Sequence, residues 1–155
     1  MRRVLMVVLM LMFATLVAAL QKTPSVDRGE IEKAVLDVNS RMTQAADSLD
    51  AEKFFSHILN TGEESIIQNG RLFKTWAEAL DAVKASFQGV VKVERRYDQI
   101  QVTVISPDVA LLISQGTTTA SLSDGRTLSS RFTASLVFVL RSGQWKVLHG
   151  HYSIP

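Results

Sequence analysis

The chain has 155 residues, with 17 Lys or Arg against 15 Asp or Glu, 46% hydrophobic residues and no cysteine. That is the length of one domain, and without cysteine neither a disulfide nor a lipid-modified cysteine anchor can form. The net charge of +2 comes from Arg2 and Arg3, and Arg95-Arg96 is the only other adjacent basic pair; a nucleic-acid partner, which needs a concentrated basic stripe, is excluded.

Arg2-Arg3 precedes an uncharged run, Val4 to Leu20, closed by the small residues Val17-Ala18-Ala19. This pattern predicts a secretory signal peptide over residues 1–19, cleaved after Ala19, leaving a secreted, periplasmic protein with no membrane attachment. Residues 20–28 read as a polar linker containing Pro24, and 29–155 as a single domain. Ile31, Val35, Val38, Met42, Ala45 and Leu49 recur at three- and four-residue steps and predict a helix from Gly29 to Ser48. Asp50 caps a second helix start, with Phe54, Phe55 and Ile58 facing inward. Thr61-Gly62 breaks the pattern. Asn69-Gly70 then joins two short strands, Ser65–Gln68 and Arg71–Phe73. Thr75-Trp76-Ala77-Glu78 is a capping box that opens a third helix, with Ala79, Leu80, Val83 and Phe87 as its buried stripe and Gly89 at its end.

The remainder reads as strands. Between Val91 and Ile105 the apolar alternation changes parity, so one residue must be absorbed between Arg95 and Asp98 as a bulge or bend. Strands follow over Val109–Leu122, Thr127–Arg141 and Trp145–Ser153, with Gly116 marking a bend. A two-residue Asp124-Gly125 turn pairs Leu111 with Phe138 and Gln115 with Ala134. A two-residue Ser142-Gly143 turn pairs Leu136 with His149 and Ala134 with His151. A four-residue loop, 105–108, sets Asp98 opposite Gln115. In this register one face is apolar, with Phe132, Leu136 and Phe138, and ends in a polar group of Asp98, Gln115, Thr117, His149 and His151. Neighbouring strands bring such groups to about 5 Å. The element order is α+β, helices followed by an antiparallel meander.

The closing stretch Gly143-Gln-Trp-Lys-Val-Leu-His149-Gly-His151-Tyr-Ser153, with Arg131-Phe-Thr133 and Asp108-Val-Ala110 before it, resembles the SnoaL-like branch of the nuclear-transport-factor-2-like superfamily. It also resembles the association domain of calcium/calmodulin-dependent kinases, which shares that fold. The resemblance spans Ile31 to Ser153. It implies a cone, a strongly bent sheet wrapped around three helices, with a pocket between helices and sheet and frequent homodimers. It does not imply one activity, because the family includes a ketosteroid isomerase, polyketide cyclases, dehydratases and non-catalytic modules.

The reading favoured on these grounds is a module that binds a small, largely apolar molecule without a cofactor. Gln115, Thr117, Trp76, Phe132 and Leu136 are its candidate ligand contacts. The competing reading is an isomerase, cyclase or hydratase using Asp98 with His149 or His151 as acid and base. An isomerase of this fold uses a tyrosine beside a protonated acid, whereas the first helix here has no tyrosine. Tyr97 and Tyr152 are the only two, and the expected register turns Tyr152 away from the histidines. A third reading is a homodimeric association module without a ligand. His149 and His151 with Asp98 offer too few ligands for a metal, and no nucleophile or phosphate-loop motif is present.

Overall fold

The computed structural model describes residues 27–154, and the expected signal peptide lies outside them. Three helices come first. In α1 (Arg28–Asp47) the Asp27 carboxylate caps the amides of Gly29 and Glu30 at 2.9 and 3.2 Å, and Val35, Val38, Met42, Ala45 and Ala46 are buried. α2 (Ala51–Phe55) starts under Asp50, which accepts from the Lys53 amide at 2.9 Å. The hairpin of β1 (Ser65–Gln68) and β2 (Arg71–Phe73) turns through Asn69 and Gly70, both at positive φ as a tight hairpin turn requires. α3 (Trp76–Ser86) is capped by Thr75, which accepts from the Glu78 amide at 3.1 Å, while the Glu78 carboxylate reaches back to the Lys74 amide at 3.0 Å.

Four long strands complete the chain: β3 (Val90–Ser106), β4 (Val109–Leu122), β5 (Thr127–Arg141) and β6 (Gln144–Ser153). The sheet runs β2-β1-β6-β5-β4-β3. The expected meander is present, and β1 adds to it in parallel along β6, pairing Ser65 with His149 and Ile67 with His151. The fold is therefore α+β, with a mixed, mostly antiparallel sheet bent around the helices in a cone.

Three register details set which side chains face the helices. First, the turn between β4 and β5 holds three residues, Ser123-Asp124-Gly125, because the Leu122 amide donates to the Arg126 carbonyl at 2.8 Å. Gly125 takes a φ of 88° there, the left-handed position that the third residue of such a turn needs. The extra residue pairs Ala110 with Phe138, Leu112 with Leu136 and Ser114 with Ala134. The expectation that Leu111, Ile113, Gln115 and Thr117 face the core is corrected, since a shift of one residue reverses every side chain of a strand.

Second, β5 and β6 turn as expected through Ser142-Gly143, but a bulge at Leu148 follows: Phe138 pairs with Val147, and Val137 with His149. Gly150 and Tyr152 therefore face inward while His149 and His151 face outward, which corrects both their expected placements. Third, the parity change in β3 is a bulge at Asp98, between the pairs Tyr97–Gly116 and Gln99–Gln115. It puts Val93, Arg95 and Tyr97 on the same face as Val102. At Gly116 the strands approach so closely that a Cβ would lie 2.2 Å from the Arg96 carbonyl oxygen and 3.0 Å from the Phe132 ring.

The core lies between α1, α2 and the concave face of the sheet. Phe55, Phe138, Met42, Leu112, Val35 and Val147 are its largest fully buried side chains. Trp76 stands edge-on to Phe55, with ring centroids 5.4 Å apart. The chain after α2 is stitched to β6 by two backbone hydrogen bonds, Leu59 to Val147 and Val147 to His57, both 2.9 Å.

Candidate functional site

A cavity of about 140 Å³ lies between α1, α2, the end of α3 and the sheet. For scale, an engineered apolar cavity of about 150 Å³ accommodates benzene. Its walls are mainly apolar: Met42, Ala46, Phe54, Phe55, Val83 and Phe87 from the helices, and Phe132, Ala134 and Leu136 from the sheet. Asn39 and Thr43 enter from α1, Ser114 and Thr118 from β4, and Arg95, Tyr97 and Tyr152 from β3 and β6. Asn39 and Ser114 are the buried polar residues among those described, at 6% and 3% exposure.

Local structure fixes the polar groups. Thr43 is one turn beyond Asn39 on α1, and its hydroxyl donates to the Asn39 carbonyl at 3.0 Å. Its single proton is then committed, so the Tyr97 hydroxyl, 2.7 Å away, donates to Thr43 Oγ1. The Tyr97 ring is held edge-on by Phe132, centroids 5.6 Å apart. Arg95 donates through Nη1 to Asp47 at 3.2 Å. Burial raises the Asp47 pKa; Arg95 opposes that rise and Glu94 adds to it. Burial also pushes the Tyr152 phenol well above the ordinary tyrosine range, with the neighbouring Tyr97 adding to the rise and Arg95 opposing it. Tyr152 thus stays protonated and can donate a hydrogen bond into the cavity.

Of the residues expected at the site, Phe132 and Leu136 line the cavity. Trp76 sits behind Phe55 instead, and its Nε1 is buried without a hydrogen-bond partner. Asp98, Gln115, Thr117, His149 and His151 do share a face, but it is the outer one, and none of them lines the cavity. Asp98 is held there by Arg131 at 2.7 Å and Arg96 at 3.5 Å. His149 Nδ1 is 2.7 Å from Ser65 Oγ, across the parallel pair of β6 and β1. Among the described residues, no three His, Cys, Asp or Glu side chains gather as a metal site requires.

Tyr97, Tyr152, Asn39, Thr43, Arg95 and Ser114 line the cavity but were not among the site residues expected from the sequence. Two signals pointed to them. Asn39 and Thr43 interrupt the apolar stripe of α1 at a four-residue spacing, and Gly150 inside a strand signals an irregularity or a close approach nearby; the bulge itself, at Leu148, turns Tyr152 inward.

Solved structures share the architecture. A nuclear-transport-factor-2-like superfamily protein from Salmonella enterica superposes with a TM-score of 0.74 at 18% identity, over 82% of this chain and 92% of that one. A candidate dehydratase of the same superfamily from Streptomyces avermitilis gives 0.71 at 18% identity, over 79% and 95%. A protein of unknown function from Pseudomonas putida gives 0.70 at 17%, over 82% and 88%. At these identities the likeness is one of fold. No curated protein matches the sequence. The family model for the SnoaL-like domain matches residues 35–155, so with this cone, this sheet order and this cavity the chain belongs to the SnoaL-like domain family.

Proposed function

We propose that this protein binds a small, largely apolar, uncharged molecule of monocyclic size, bearing a hydroxyl or carbonyl group, in the cone cavity. The observation that carries the reading is the 140 Å³ apolar cavity with Tyr97, Tyr152, Asn39 and Ser114 on its walls. A few placed polar groups in an apolar concavity are how small-molecule sites orient their ligands. Arg95 is already paired with Asp47, so the polar wall carries no uncompensated charge and favours a neutral partner. Acid–base chemistry by Asp98 with a histidine finds no support in this geometry, because those groups stand outside the cavity.

The test is a thermal-shift series with phenol, benzyl alcohol, toluene, a medium-chain fatty acid and a sterol. A ligand that binds only the folded state raises the melting temperature. Phenol and benzyl alcohol should raise it, toluene less, and the sterol not at all. Ala134→Leu, which fills the cavity from β5, should abolish the rise while the protein stays folded. An equal response to the sterol, or an unchanged response in that variant, would sink the proposal.

Export is the accompanying proposal, supported by Arg2-Arg3 and the uncharged run behind them. So is a homodimer formed through the outer face of β4 and β5, where Ile113 is 47% exposed beside Leu111 and Val137.

A further inference from the structure

The face of α1 turned away from the cavity borders a second concavity. Asp37 and Arg41 of α1, His57 after α2, and Trp145 and Lys146 of β6 enclose an open groove of about 430 Å³. It has no lining residue in common with the cavity. Among the described residues that line it, two side chains are cations and a third, His57, can become one, while Asp37 is the single acid and is engaged by Arg41 Nη1. The Lys146 ammonium is anchored at the rim by donating to the Ser56 carbonyl.

The charged side chains that line the groove, Arg41 and Lys146 against Asp37, sum to a net positive charge. The His57 pKa is lowered by burial first, then by Lys146 and Arg41, and by Lys53 of α2. Asp37, bound to Arg41, is the remaining charged group of the groove. An anion placed here would be attracted by the Lys146 ammonium, whose charge no acid of the groove offsets, would meet the N–H donors that Arg41 does not spend on Asp37, and would let His57 take up a proton. Arg41 keeps further N–H donors in its planar fork, which match a carboxylate. The half-buried Trp145 indole supplies a flat apolar wall beside them.

We propose that this groove is a second binding site, for a small aromatic carboxylate whose anionic group is held by Arg41 and Lys146 and whose ring lies against Trp145. It is independent of the cone cavity, so either site can fail without the other.

Benzoate is the probe, and the His57 ring protons, assigned with His57→Gln, are the readout by NMR. Saturating benzoate should raise the His57 pKa by about one unit, and by linkage benzoate should bind about tenfold more tightly well below pH 6 than at pH 8. Arg41→Gln and Lys146→Gln should each weaken binding about tenfold, as expected for loss of a charge-assisted hydrogen bond. Benzyl alcohol, the neutral analogue, should leave the His57 titration unchanged. A His57 pKa unmoved by benzoate overturns the proposal, whether or not the variants fold. So does an affinity that both charge-neutral variants retain in full, or a chloride effect equal to that of benzoate.

Discussion

At the scale of single residues, Tyr97 joins α1 to the sheet through one hydroxyl. Tyr97→Phe removes its bond to Thr43, which should cost about 1 kcal/mol. Denaturant titration would show this as a lower midpoint with an unchanged slope, and phenol should lose more affinity than toluene. Tyr152 makes a prediction about alkaline pH. Its pKa is raised in the folded state, so its contribution to stability is complete below the unfolded value of about 10 and is lost as the pH rises past it. In Tyr97→Phe, where Tyr152 is the remaining tyrosine, the phenolate absorbance should therefore appear late and together with unfolding. A normal titration of the folded variant would contradict the burial of that phenol. Neither role was legible in the chain, because a tyrosine reads the same on either face of a strand until register is known.

At the scale of elements, the helices and the small hairpin follow closely from caps, stripes and the Asn-Gly turn, all of them local signals. The sheet shows what local signals leave open. The parity change near Asp98 was visible because apolar residues stand on both sides of it. The one-residue differences at Ser123 and Leu148 were not, since polar and small residues around them mask the alternation. The bulge itself is testable. Asp98→Ala breaks ion pairs that are largely exposed on the arginine side, and such pairs contribute about 0–1 kcal/mol. Stability and phenol binding should hardly change. Deleting Asp98 instead removes the inserted residue and turns Val93, Arg95 and Tyr97 outward. That variant should lose phenol binding and melt many degrees lower, as measured by calorimetry. Loss of binding in Asp98→Ala at unchanged stability would return Asp98 to the site.

At the scale of the whole molecule, the two faces of the bent sheet have different tasks. The concave face closes over α1 and leaves the cavity. The convex face exposes Ile113 at 47% beside Leu111 and Val137, which is where the proposed dimer would form. Ile113→Lys should shift sedimentation from dimer to monomer while phenol still binds; a wild-type monomer would end the dimer proposal. The order of elements, their caps and turns, and membership of an α+β cone were determined by the sequence alone, because propensity, capping and alternation act over a few residues. Which side chains meet inside the cone was decided only by the tertiary structure. A three-residue turn where two were expected, and one extra residue at Leu148, exchange the faces of two strands. Those choices depend on packing against helices far away in the chain, and they put Tyr152 in the cavity and the histidines outside it.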